Sequence, residues 1–323
     1  TKIIKYAKTP RQLLFIIIFS SGILSAIFLN DTIVLVFTPL ILEITISLGL
    51  NSIPFLIALA TAANVGSAAT IIGNPQNMLI GISSGIPFAD FLFLLAPVSI
   101  SCLFIVFLII VIIYRKEFPK KDLIEKSNKE IKIYKPLFYK SIFASLIMAI
   151  LLFSGLEIPL AALTSSSILL ITRRLKPQRV FREIDWSLLV FFSGLFVVTS
   201  AIETTNIGDK LFTKLIPFLE DGIIEFAISS AVISNLVSSV PAVLLFKHII
   251  SGLSDPKLFW LVLSISTTFA GNLTLLGSVA NLIVAETAKT KGVHLSFVEY
   301  LKAGIPITIL TLVISSIYFI LFF

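Results

Sequence analysis

The sequence predicts an all-α polytopic membrane protein, organised as an inverted repeat with two re-entrant hairpins and two broken transmembrane helices. Three observations lead there. Apolar runs recur along the whole chain, which is 57% hydrophobic and only 13% charged, with a mean hydropathy of +1.04; a soluble domain would carry about 25% charge. Four of these runs are interrupted by small and amide residues. The interruptions also match one another in pairs, and polar residues match as well as apolar ones.

A bilayer span needs roughly 20 mostly apolar residues. The apolar segments are 12–47, 53–84, 88–114, 138–154, 158–172, 186–202, 223–252, 257–290 and 298–323. Segment 12–47 is broken by Asn30, Asp31 and Thr32, and 53–84 by Gly73, Asn74, Pro75, Gln76 and Asn77. Segment 223–252 is broken by Ser234 and Asn235, with Pro241 following, and 257–290 by Gly271, Asn272, Gly277, Ser278 and Asn281.

The net charge of +7 resides mostly in short loops. It is therefore a membrane-topology signal rather than a nucleic-acid footprint. Basic clusters lie at Lys2, Lys5, Lys8 and Arg11; at Arg115 to Lys135; at Arg173, Arg174, Lys176, Arg179 and Arg182; and at Lys289, Lys291 and Lys302. The positive-inside rule puts all four in the cytoplasm. Alternation then requires 12–47 to be a hairpin entering from inside with its tip at Asn30-Asp31-Thr32. It requires 223–252 to be a hairpin entering from outside with its tip at Ser234-Asn235, and it leaves the C-terminus outside. The first repeat covers 1–114 and the second 223–323; a cytoplasmic loop covers 115–137. Residues 138–222 hold further helices and an amphipathic interfacial arm at 203–222. Cys102 is the only cysteine, which excludes an intramolecular disulfide, and it is expected to be a buried small hydrophobe. His248 and His294 have no neighbouring Cys or His for a metal site. The chain starts at Thr1 in what reads as a loop, so residues are expected to precede it.

The stretch Thr70-Ile71-Ile72-Gly73-Asn74-Pro75-Gln76-Asn77 parallels Thr274-Leu275-Leu276-Gly277-Ser278-Val279-Ala280-Asn281, and the same offset sets Asp31 opposite Asn235. Paired broken segments in inverted repeats are the sequence pointer to a transporter site at the midplane. Unpaired backbone groups cost several kcal/mol in hydrocarbon, so such breaks persist only where they are buried in protein or line a cavity. N-terminal helix ends attract anions and C-terminal carbonyls attract cations. The expected substrate and ion ligands are Asn30, Asp31, Thr32, Thr70, Gly73, Asn74, Pro75, Asn77, Ser234, Asn235, Thr274, Gly277, Ser278 and Asn281. Na⁺ is expected at Asp31, Gly73, Asn235 and Gly277. Asp31 is the sharpest of these, because a carboxylate within a span is expensive. Its plainer reading is a cap on the hairpin's second arm, and the two roles can coexist. Glu43 and Glu286 read as water-exposed positions near the inner face.

Asn30-Asp31-Thr32 with Thr38-Pro39, the stretch Asn64 to Thr70 running into Gly73-Asn74-Pro75-Gln76-Asn77, and Ser234-Asn235 followed by Val240-Pro241 resemble the ion transporter superfamily. That group includes arsenical-pump permeases, sodium/proton antiporter-like members, and citrate and divalent-anion symporters. The resemblance implies a transport domain with two hairpins, a scaffold that makes a homodimer, and elevator-type alternating access. It also implies spans preceding residue 12. It points to secondary transport of a small inorganic or carboxylate anion, coupled to Na⁺ or H⁺, in the cell membrane, with no cofactor and no enzymatic chemistry. A Na⁺/H⁺ antiporter and an arsenite permease served by a separate ATPase are the alternatives. Dicarboxylate symporters of the group carry Ser-Asn-Thr at each tip. Here Asp31 replaces an amide and Leu236 a hydroxyl, and a fixed carboxylate repels a dianion unless it is neutralised.

Overall fold

The computed structural model describes residues 7–118, 135–171, 222–250 and 252–323, with scattered positions between 178 and 201. Among the described residues every regular element is helical. The first basic cluster is described only in part. The expected helix at 186–202 is described only at scattered positions, and the interfacial arm at 203–222 lies almost wholly outside the described residues.

The chain divides into two compact units. One comprises residues 1–86, 90–130 and 216–323 and contains every described residue of the candidate site; the other comprises 87–89 and 131–215. In the first unit, helix α1 (Pro10–Ile27) starts with a capping box. Gln12 N–H donates to the Thr9 hydroxyl at 3.3 Å, and Thr9 N–H donates to the Gln12 side chain at 3.2 Å. Such a cap contributes about 0.5–2 kcal/mol. Helix α2 (Asn30–Ser47) follows after two non-helical residues, Phe28 and Leu29, so the expected tip Asn30-Asp31-Thr32 lies inside the first turn of α2 and the break falls upstream of it. Its N-cap is Leu29, not Asp31, and no side chain caps it. Asp31 sits instead in the first turn, where its charge suits the positive helix end.

Helix α3 (Ile53–Ser67) has every residue from Pro54 to Ser67 buried, as befits a helix apolar on all sides. After the break at residues 68–74 comes α4 (Pro75–Ser84), capped by Asn74 and stopped by Gly85 at φ +66°. Helix α5 (Phe88–Ile113) closes this half. In the second unit α6 (Lys135–Phe153) and α7 (Ile158–Leu170) pack on each other.

The second half repeats the order. Helices α8 (Ile223–Val237) and α9 (Ser239–Ile250) form a hairpin, and α10 (Pro256–Ala270) and α11 (Val279–Thr290) form a second interrupted helix. Helix α12 (Phe297–Phe322) closes it. The expected tip at Ser234-Asn235 moves downstream: both residues lie within α8, and the break falls at Ser238, with φ 78° and ψ 155°. Among the described residues, α1, α2, α5, α6 and α12 are long and apolar enough to cross a bilayer.

Helix directions follow from named contacts. Gly22 faces Gly66, and the Ala26 carbonyl accepts from the Thr70 hydroxyl at 2.6 Å, so α1 and α3 run parallel. Phe15 packs edge-on to Phe107, and Phe19 to Phe104, so α1 and α5 run antiparallel. Tyr114 OH donates to Glu299 O at 3.3 Å, and Tyr318 OH to Leu94 O at 2.8 Å, so α5 and α12 are antiparallel. Ser230 bonds Ser266 and Asn235 bonds Ala270 O, so α8 and α10 are parallel. Thr308 donates to Phe269 O, and Gly304 lies beside Asn272 O, so α10 and α12 are antiparallel. The remaining arms cross over: α2 packs on α11, and α9 on α4.

Candidate functional site

Each helix break leaves carbonyls without helical partners, and one asparagine answers each set. Asn77 Nδ2 donates to Thr70 O at 3.0 Å and faces Ser67 O and Ala68 O at 3.4 and 3.5 Å. Its Oδ1 accepts from the Ser264 hydroxyl at 2.8 Å. Asn281 Nδ2 donates to Gly271 O at 2.8 Å and to Thr274 O at 3.0 Å. Both side chains are fully buried. These two expected ligands are therefore engaged in closing their own breaks.

Asn74 is likewise occupied. Its Oδ1 accepts from Asn77 N–H at 2.8 Å, and its Nδ2 reaches Ser67 Oγ at 2.9 Å and Thr268 Oγ1 at 3.3 Å. Pro75 opens α4 directly after it, where its missing N–H leaves no lost bond. Gly73 is demanded by its own turn, since a Cβ there would lie 2.2 Å from Ser67 O. Its carbonyl accepts from Asn30 N–H at 2.9 Å, which ties the first hairpin to the first break. Thr70, through its bond to Ala26 O, does the same.

The centre of the first half is a residue outside the expected set. Asn64, 2% exposed, makes four side-chain bonds. Its Oδ1 accepts from Asn30 Nδ2 at 3.0 Å and from Ser278 Oγ at 3.1 Å. Its Nδ2 donates to Asn272 Oδ1 at 2.9 Å and to Asn281 Oδ1 at 3.1 Å. The N-termini of α2 and α11 thus meet at one carboxamide. The repeat offset places Thr268 opposite Asn64, and Thr268 Oγ1 accepts from Asn74 and Gln76, both at 3.3 Å. Asn64, Ser264, Thr268 and Asn272 complete the site; an amide or hydroxyl in a wholly buried helix, at matched repeat positions, is the signal that marks the first and third.

Some polar atoms remain open. Asp31 is half-buried, and among the described residues no donor reaches its carboxylate. Asn235 Oδ1 is buried without a partner beside Gly277, while its Nδ2 holds Ala270 O at 2.9 Å and Ala231 O at 3.2 Å. Thr32 is exposed and Thr274 is half-buried. Ser234 Oγ donates to Ser239 Oγ at 3.0 Å, across the break of the second hairpin. The structure therefore joins Asn30, Ser278 and Asn281 through Asn64. Among the described residues it leaves the Asp31 carboxylate and Asn235 Oδ1 without a donor.

Comparison with known proteins follows the same line. The profile of the citrate transporter family, CitMHS, matches residues 1–257. The "46 kDa membrane protein" of Mycobacterium leprae is 28% identical over 96% of this chain and 77% of its own length. The rice silicon efflux transporter LSI3 is 29% identical over 91% of this chain and 76% of its own. A Dictyostelium discoideum protein with arsB in its name is 28% identical over 91% and 73%.

Proposed function

The chain belongs to the citrate transporter family, CitMHS, and we propose from this and from its site that it is a secondary active transporter of an anion or oxyanion. Members of this family are transporters rather than enzymes. Transport is coupled to Na⁺ or H⁺ and proceeds by elevator-type movement of the hairpin-bearing unit against the rest of a homodimer in the cell membrane. One observation carries the reading: two helix N-termini converge at Asn64 beside an open carboxylate, Asp31. Helix N-termini favour an anion, and a carboxylate favours a cation or proton, so a single neighbourhood suits both.

The helix directions support an inverted arrangement. Helix α3 opposes α5, α5 opposes α12, and α12 opposes α10. The pair α1/α3 then runs against the pair α8/α10, and the two hairpins enter from opposite faces. That the Asn30 N–H reaches Gly73 O at the break supports a hairpin turning back within the membrane.

The relatives' names bear on substrate. Silicon efflux and arsB favour a small inorganic oxyanion or its acid beside citrate. Asp31, a carboxylate to which no described residue donates, favours a second reading as a Na⁺/H⁺ antiporter. Uptake into proteoliposomes separates them, with citrate, succinate, sulfate, arsenite and silicic acid offered under Na⁺ or pH gradients. Gradient-driven movement of one solute, lost in Asp31→Asn, is the expected result. Proton release on Na⁺ addition with no solute moved assigns the antiporter instead.

A further inference from the structure

We propose that Asn64 is the positioning residue that couples the Asp31 side of the site to the second repeat; this rests on the transport reading above. Asn64 itself is closed to ligand, since both lone-pair directions and both N–H groups are used. Its four partners come from three parts of the fold: Asn30 opens α2, Asn272 lies in the second break, and Ser278 and Asn281 lie at the N-cap position and in the first turn of α11.

The partners cannot turn away. Asn272 Nδ2 is anchored on Thr61 O at 3.3 Å, and Asn281 Nδ2 on Gly271 O and Thr274 O. Both must therefore present Oδ1 to Asn64, which must answer with two donors. Asn30 must present Nδ2, because its Oδ1 accepts from Asp31 N–H at 2.9 Å. The orientation of the Asp31 turn is thus set by a carboxamide whose other face holds the second break. A hydroxyl or carboxylate cannot make this set of bonds: one has a single donor, the other none. The second repeat has only Thr268 at the matched position, with two bonds of 3.3 Å. The clasp is one-sided, and any rearrangement at Asp31 on cation binding is carried into the second repeat through Asn64. Reciprocity then makes substrate occupancy alter cation affinity by the same route.

Two variants of the full-length chain in proteoliposomes test this. Asn64→Asp keeps size but loses both donors while ionised and regains one when protonated. Asn64→Thr installs the residue that the second repeat already accommodates. For both, the cation concentration giving half-maximal uptake is expected to rise roughly tenfold or more. The rate of Asn64→Asp relative to wild type is expected to recover as pH falls, a signature that simple loss of packing does not produce. A variant that reaches the membrane with wild-type cation dependence and no acid recovery overturns the role of Asn64. If wild type itself moves no solute down a cation gradient, the transport reading falls and this inference falls with it.

Discussion

Asn77 and Asn281 hold the two breaks together by donating to the carbonyls left at the ends of α3 and α10. Each unpaired buried group costs about 1–3 kcal/mol. Asn77→Leu is therefore expected to destabilise the protein by at least that much, lowering its unfolding temperature in detergent. The molecules that remain folded are expected to bind substrate with little change, because the Asn77 amide is already taken. A large loss of affinity at unchanged stability would return Asn77 to the ligand set. The sequence marks the start of α4, which Asn74 caps and Pro75 opens, but not the end of α3, which stops at Ser67, six residues before Gly73. It does not indicate which way an amide donates, so Asn77 and Asn281 read as ligands, while Asn64 enters only as part of the stretch that carries the resemblance and not as a site residue. Asp31 reads correctly as a carboxylate in an apolar segment, yet its cap role fails because Leu29 occupies that place.

The α1/α3 crossing depends on two glycines. A Cβ on Gly66 would lie 2.1 Å from the Gly22 carbonyl oxygen, and one on Gly22 would lie 2.8 Å from the Leu103 side chain. Helices come this close in membranes only where small residues line the contact. Gly66→Ala must push α1 off α3 and shift the Asn30–Gly73 bond, because the obstacle is backbone. It is expected to destabilise by about 3 kcal/mol or more and to abolish monodisperse protein after solubilisation; recovery of normal yield would refute the close crossing. The second hairpin offers the reverse case. Ser238 has φ 78° and ψ 155°, a conformation that suits glycine. Ser238→Gly is expected to raise the unfolding temperature, with a gain of about 1 kcal/mol, and Ser238→Val to lower it. This break escapes the sequence because Ser238-Ser239 is a weak turn signal beside Asn235. The first break is displaced the other way: the expected tip Asn30-Asp31-Thr32 opens α2, and the non-helical residues are Phe28 and Leu29.

The first unit as a whole carries a topology that single residues can report. Helices α5 and α12 have 26 residues each, roughly 39 Å at 1.5 Å per residue, enough to cross the bilayer. They are antiparallel, with Tyr114 against Glu299 at one end and Leu94 against Tyr318 near the other. Asp90 and Lys257, paired at 2.9 Å, therefore lie at the opposite end from Glu299 and Lys302. The Lys302 end also holds Arg115, Lys116, Lys289 and Lys291, so the positive-inside rule assigns it to the cytoplasm. Asp90, Lys257, Glu286 and Lys302 are all exposed, whereas Cys102, the only cysteine, is buried. Single cysteines at those four positions in a Cys102→Ala background can be treated with a membrane-impermeant maleimide on intact cells. Positions 90 and 257 are expected to label from outside. Positions 286 and 302 are expected to label only after permeabilisation. If all four label from one side, α5 and α12 do not both cross the membrane, and the opposed hairpins proposed above lose their physical basis. If the sides are exchanged, the proposed inversion survives while the first hairpin enters from outside, placing Asp31 in the half reached from the outer solution.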